Sequence, residues 1–191
     1  MKICVYGAAS DKIDSVYIKA VEELGRKMAK RGHALVYGGG ASGLMGAVAR
    51  GVYEEGGEIT GVSPTFFNVD GVLFDRCTHL IYTETMRERK QIMEDSADAF
   101  IMVPGGVGTF DEFFEILTLK QLDRHNKAMV IFNCNHYYDA LSSMMEKAVA
   151  EGFVSVPTLY LYQVMDDIDA ILDYIEQYKK ETLNVEELRN L

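Results

Sequence analysis

The chain has 191 residues, 48% of them apolar and 25% charged, with only three prolines; that is enough for one domain with a substantial core and an ordinary globular composition. Nineteen basic residues against 29 acidic ones give a net charge of −10, which argues against a nucleic-acid or anionic-membrane surface but leaves room for a local basic pocket. The apolar runs fall far short of a membrane span, Met1 and Lys2 lead into a strand rather than a signal-peptide core, and Cys4, Cys77 and Cys134 share no disulfide or zinc spacing, so a cytoplasmic protein is expected.

ICVY at 3–6 reads as a buried strand ending in the loop GAAS. From 13 to 30, Val16, Ala20, Leu24 and Met28 recur at helical spacing, and Gly32 stops that helix. ALVY at 34–37 is a second strand and runs into GGGASGLMG; 44–52 is a short helix closed by Gly56 and Gly57, and ITGV at 59–62 a third strand. Residues 63–78 carry Pro64, Phe66, Phe67 and Phe74 and form an irregular connection. Its length suits a binding loop or lid, and core packing under a long loop fits equally. LIYT at 80–83 is a strand, 86–96 a helix, and AFIMV at 99–103 the most apolar strand. A helix over 110–122, the strand MVIF at 129–132 and a helix over 138–150 follow. LYLYQVM at 159–165 reads as one more strand, 167–178 as a last helix, and 179–191 as an acidic tail or short helix. Short apolar strands alternating with helices predict a single α/β domain over 1–178, a doubly wound parallel sheet flanked by helices.

Gly38-x-Gly40-x-x-Gly43 has the spacing of the dinucleotide fingerprint. It follows the second strand rather than the first, however, and Glu58 starts a strand instead of ending one, so no nicotinamide or other cofactor is expected. No GxxxxGK[ST] occurs, which argues against a P-loop hydrolase, and the four histidines are scattered without HExxH, so no metal is expected. Two glycine loops still follow strands and open helices. One is 38–46, with Gly39, Gly40, Ser42 and Gly43; the other is 105–108, where Gly105, Gly106 and Gly108 lead to Thr109. At the carboxyl edge of such a sheet their N–H groups would favour an anion, although glycine also simply permits a tight turn. Two such loops, with hydroxyl donors at Ser42 and Thr109, point to a phosphate-bearing small molecule.

On a helical wheel Met86, Ile92, Met93 and Ala97 share one side, and Arg89 falls near its middle. A charge there needs a partner or a polar cavity; an arginine snorkelling from the stripe's edge, or a structural ion pair, also fits. Lys90, at the margin, could reach the same cavity. In the 110–122 helix Phe110, Phe113, Phe114 and Leu117 form one stripe, with Ile116 and Leu119 part of a second, roughly opposite. Such a helix is expected to be covered twice, by the sheet and by a second copy of the chain. Thr109-x-x-Glu112 has the form of a capping box; the other reading is that Glu112 does chemistry beside a phosphate.

MRERK at 86–90 followed by PGGVGTFDE at 104–112 resembles the LOG family, the cytokinin riboside 5′-monophosphate phosphoribohydrolases once labelled lysine decarboxylases. GGGASGLMG looks like that family's first glycine loop, and the similarity runs from the first strand to about residue 178. The resemblance implies a Rossmann-like fold, a homodimer, and hydrolysis of the N-glycosidic bond of N6-modified AMP to free base and ribose 5-phosphate. By motif it makes Arg89 and Glu112 the catalytic pair, and Met86, Lys90, Gly105, Gly106, Gly108, Thr109 and Thr118 nucleotide contacts. Asp111 stands where many members have a second glutamate, and GAAS where a CGSS-like loop is common; both departures bear on the preferred base.

The residue types suit that reaction. Cleavage of a C1′–N bond passes through an oxocarbenium-like sugar, which a carboxylate such as Glu112 can stabilise, or to which it can direct water. Arg89 does not readily give up a proton, so it would orient phosphate or ribose, or stabilise the departing base. The N–H groups of both glycine loops would hold the 5′-phosphate. Lysine decarboxylation would need an electron sink such as pyridoxal phosphate, and no lysine is marked for it. The alternatives are a general purine 5′-monophosphate nucleosidase and a non-catalytic nucleotide-binding sensor.

Overall fold

A computed structural model describes residues 1–180 and 184–188. The strands β1 (Lys2–Tyr6), β2 (Ala34–Tyr37), β3 (Ile59–Pro64), β4 (His79–Thr83), β5 (Ala99–Met102), β6 (Ala128–Phe132) and β7 (Gln163–Met165) make one sheet in the order β4-β3-β2-β1-β5-β6-β7. Every neighbouring pair is parallel. Between and after them run α1 (Ser15–Lys30), α2 (Gly43–Glu54), α3 (Met86–Ser96), α4 (Val107–Gln121), α5 (Asp139–Ala150), α6 (Ile168–Gln177) and α7 (Val185–Leu188). Alternate side chains of each strand enter opposite cores. Ile3, Val5, Leu35, Tyr37, Ala99 and Ile101 pack with α1, α2 and α6. Cys4, Tyr6, Val36, Phe100 and Met102 pack with α3 and α4 on the other face. Because both faces are covered, the strands read as unbroken apolar runs rather than alternating ones.

The chain begins in the middle of the sheet, builds outward to β4, then returns to place β5 on the other side of β1. That reversal makes β1 and β5 the switch point, where loops leaving the carboxyl ends diverge and open a crevice. Pairing of Tyr6 with Met102 brings the loops after β1 and β5 side by side, and the Ala8 N–H donates to the Pro104 carbonyl at 3.1 Å. Among the described residues no helix is long and apolar enough to cross a membrane.

Three elements differ from the sequence-based expectation. Helix α4 begins at Val107, not 110, so Gly106 is its N-cap and Thr109 lies inside the first turn. The capping box expected at Thr109 and Glu112 therefore does not form. It forms instead one helix earlier, where the Thr85 hydroxyl accepts from the Glu88 N–H and the Glu88 carboxylate accepts from the Thr85 N–H. The last strand is only Gln163–Met165, because Val156–Tyr160, carrying Pro157, turns as a 3₁₀ helix and cannot extend the ladder. Of the tail, 181–183 and 189–191 lie outside the described residues; Val185–Leu188 is helical, and the Leu188 carbonyl accepts from the Ser155 hydroxyl at 2.9 Å.

Candidate functional site

At the switch point lies a cavity of about 660 Å³. Residues 7–10 after β1 form one wall, and Gly38, Gly40, Ser42 and Met45 of the first glycine loop and α2 form the next. Ser63, Phe67, Val72 and Leu73 close a third side, Met86 and Arg89 of α3 a fourth, and Gly106, Gly108, Thr109 and Glu112 of α4 complete the ring.

Arg89 faces this cavity rather than solvent, with its side chain 8% exposed. Its Nη1 donates to Glu112 Oε1 at 2.6 Å, and its Nε donates to the Val62 carbonyl at 3.2 Å. The inward arginine of the sequence is thus both ion-paired and turned toward a cavity, which joins two of the readings left open. Gly38 makes room for it: a Cβ there would collide with Arg89 Nη2. Burial pushes the Glu112 carboxyl above its ordinary value of 4.5, and the Arg89 charge and hydrogen bond pull it back only in part. A carboxylate so placed takes up a proton more readily than one in water, a property suited to acid–base work.

The two glycine loops are used differently. In the first, backbone groups are spent on the protein itself: the Ala41 N–H donates to Val72 O and the Gly39 carbonyl accepts from Phe74 N, both at 2.9 Å. These bonds, with an antiparallel bridge between Gly40 and Leu73, strap the 63–78 connection across the cavity mouth. The start of α2 is also closed. Asp11 Oδ1 accepts from the Gly43 N–H at 2.7 Å, and the Ala8 carbonyl accepts from Leu44 N and Met45 N at 2.8 and 3.2 Å. At α4, by contrast, Gly106 offers no side-chain cap, and the N–H groups of Val107, Gly108 and Thr109 have no acceptor among the described residues. An open helix start beside a cavity favours an anion.

Several residues singled out from the sequence stand elsewhere. Lys90 leaves the cavity to bridge Asp111 at 3.1 Å and Glu115 at 2.5 Å, tying α3 to α4. Thr118 is exposed and its hydroxyl donates to the Phe114 carbonyl at 2.7 Å. Gly39, Gly43 and Gly105 lie behind the lining; a Cβ on Gly105 would strike the buried Thr109 side chain. Ile116, expected on a second face awaiting a partner, is 3% exposed within the single chain. The lining residues Ala8, Ala9 and Ser10 were not among the candidates, whereas the 63–78 connection, read either as a binding loop or lid or as core packing, lines the cavity through Ser63, Phe67, Val72 and Leu73 while Phe74 packs against the core. Their place depends on β1 lying beside β5 and on backbone bonds to 39–41, neither of which a local pattern encodes.

Residues 45–175 match the family model described as a possible lysine decarboxylase. The chain is 34% identical over 177 residues to a cytokinin riboside 5′-monophosphate phosphoribohydrolase of Arabidopsis thaliana, covering 93% of this chain and 83% of that one. It is 38% identical over 171 residues to the protein of the same description from Rhodococcoides fascians, covering 89% and 86%. The chain belongs to the LOG family. Among solved structures, the molybdenum cofactor binding protein of Rippkaea orientalis matches with TM-score 0.71 at 20% identity, covering 92% of this chain and 94% of that one. The molybdenum cofactor carrier protein of Chlamydomonas reinhardtii matches with TM-score 0.70 at 22% identity, covering 92% and 96%. At these identities the likeness is one of fold. As for the decarboxylase description, among the described residues no lysine lines this LOG-family cavity, so none of them is placed there to carry a pyridoxal Schiff base.

Proposed function

We propose that the protein hydrolyses the N-glycosidic bond of N6-modified AMP, or of AMP itself, to the free base and ribose 5-phosphate. One observation carries this reading: the Arg89–Glu112 pair and the uncapped start of α4 face a single cavity. The 5′-phosphate sits on the N–H groups of residues 106–109, and the sugar reaches across the first turn of α4 to Glu112. The base lies among Met45, Phe67, Val72, Leu73 and Met86, an apolar wall that suits a purine and a hydrophobic N6 substituent.

Glu112 stabilises the positive charge that develops at C1′ as the C1′–N bond breaks with its electron pair leaving on the purine. It directs water to that carbon and takes the water's proton, which it then releases to solvent as the departed base is protonated from solvent. Burial, which raises its pKa, makes this carboxylate a stronger base than one in water. Arg89, anchored at Val62, fixes the carboxylate's orientation and supplies positive charge close to the departing base. Phosphate contacts remote from C1′ position the scissile bond.

The test is to incubate the purified protein with AMP, N6-isopentenyl-AMP and GMP and identify the products. Release of adenine or its N6 derivative with ribose 5-phosphate is expected. Equal turnover of GMP would make it a general purine nucleosidase, and intact nucleotide after long incubation would sink the enzymatic reading.

A homodimer accompanies this reading. Phe110 and Phe114 of α4 are half-buried, neighbouring α5 buries none of its residues, and Met144 and Phe153 are 60% and 85% exposed. A second copy would cover these apolar side chains. Sedimentation at micromolar concentration is expected to give twice the 21.4 kDa mass of one chain; a species of 21.4 kDa alone would rule the dimer out.

A further inference from the structure

The loop that presents the open start of α4 is held by three consecutive carbonyls. Val103 O accepts from the Tyr138 hydroxyl at 2.8 Å, Pro104 O from the Ala8 N–H at 3.1 Å, and Gly105 O from the Tyr137 hydroxyl at 2.7 Å. Among the described residues every peptide bond is trans. In a planar trans peptide the C=O and the following N–H point in opposite directions. Fixing Gly105 O on Tyr137 therefore aims the Gly106 N–H away from Tyr137, and Gly106 lines the cavity. Glycine peptides rotate freely unless something holds them; here the holder is a tyrosine from the turn that follows β6.

The turn that supplies this tyrosine is strained. Asn135 and His136 are consecutive non-glycine residues with φ of 51° and 60°, each costing on the order of 1 kcal/mol. Such a turn persists only where its surroundings enforce it. Asn133 does so, donating its N–H to Met165 O and its Nδ2 to Asp139, and accepting from the Tyr138 N–H, all at 2.7 Å. The Tyr137 ring is wedged edge-on between Tyr17 at 5.9 Å and Tyr138 at 4.8 Å. Strain is spent to set two adjacent tyrosine hydroxyls on one glycine loop.

We infer that Tyr137 is a positioning residue for phosphate binding: through the Gly105 carbonyl it holds the peptide plane of the α4 loop in its anion-binding orientation. This rests on the reading that the start of α4 takes the 5′-phosphate. The role is to remove beforehand the ordering that a free glycine loop would undergo on binding.

Tyr137→Phe keeps the ring packing and deletes only the hydroxyl. It is expected to weaken ribose 5-phosphate binding, measured by calorimetry, and to raise KM for AMP, each about tenfold, the effect of one hydrogen bond. Adenine binding, the melting temperature and kcat should stay close to wild type, a pattern that a merely structural role would not give. Tyr138→Phe, which leaves the buried Val103 carbonyl unpaired, should do the reverse, lowering the melting temperature with little change in KM. Unchanged affinity of Tyr137→Phe for ribose 5-phosphate, an equal loss for adenine, or no ribose 5-phosphate binding by the wild type would each overturn the positioning role. Absence of base release with ribose 5-phosphate binding intact would overturn only the proposed reaction.

Discussion

Two helices, α2 and α4, start from glycine loops at the same edge of the sheet, yet their first turns are in opposite states. The first N–H groups of α2 end on Asp11 and Ala8, and its loop is laced to the 72–74 strap. Those of α4 end on nothing among the described residues, while the carbonyls behind them are pinned. One loop uses its glycines for architecture, admitting Arg89 against Gly38 and carrying a strap; the other holds donors ready for a ligand. A glycine-rich strand-to-helix turn thus marks a place where backbone is needed close by, and only the partners of its N–H groups tell which kind of need it is.

The largest break in the comparison should come from Glu112→Gln in the first turn of α4. Loss of an acid–base group typically lowers turnover about 10²–10⁴-fold, and that fall in kcat for AMP is expected. Stability should not fall with it. The folded-state pKa of Glu112 is raised, so its contribution to stability is full below the ordinary value of 4.5 and is lost as pH rises through the raised value. At pH 7 the buried carboxylate is therefore a net cost, and glutamine, resembling its protonated form, should melt no lower than wild type. Any advantage should shrink as pH falls toward 4.5. A melting temperature several degrees lower at pH 7 would show that the ion pair stabilises after all, and turnover within threefold of wild type would remove Glu112 from the chemistry.

Two alanine substitutions cross the comparison. Gly43, at the start of α2, has φ of +59°, and a Cβ there would lie 2.6 Å from Ala8 O and 2.7 Å from Ser10 O. Both contacts are backbone, so Gly43→Ala should cost roughly 3 kcal/mol, visible as a melting point lower by on the order of 10 °C. Gly108, in the first turn of α4, meets nothing within 4 Å. Gly108→Ala should raise stability by about 0.5–1 kcal/mol. Gly108 nevertheless lines the cavity beside the N–H groups, so a methyl group there should crowd a phosphate held on them, and KM for AMP should rise about ten- to a hundredfold. If Gly108→Ala bound AMP normally, or Gly43→Ala proved neutral, the division between the two loops would fail.

Much of this was legible before any coordinates. Strand and helix alternation gave the doubly wound sheet, because strands covered on both faces must be apolar throughout. Arg89 betrayed the cavity by lying on an otherwise apolar stripe, and it does face Glu112 there. What local pattern missed depends on contacts distant in sequence. Thr109 and Glu112 spelled a capping box, but Glu112 is held by a residue 23 positions away and the helix starts earlier. Lys90 sits next to Arg89 yet turns to Asp111 and Glu115, since adjacent helix positions are about 100° apart. Ile116 suggested a second exposed face, and the chain's own core covers it. The two glycine loops looked alike because a sequence does not show that Asp11 reaches 32 residues forward to close one of them.

The smallest effect tests that closure. The Gly43 N–H, with the Ser42 hydroxyl second, holds the Asp11 carboxyl below its ordinary value of 3.8. A lowered pKa gives stability that is present above 3.8 and lost as pH falls through the lowered value. Asp11→Asn retains an oxygen for Gly43 and removes only the charge facing the α2 dipole. It should therefore lower the melting temperature slightly at pH 7, less so in high salt because Asp11 is exposed, and not at all once pH falls below the lowered value. The kinetic result is the more telling one. If Asp11 only closes α2, KM for AMP is unchanged in Asp11→Asn. If KM falls, the carboxylate has been competing with or repelling the phosphate, and the start of α2 belongs to the anion site after all, leaving α4 as one half of a shared cradle rather than the whole of it.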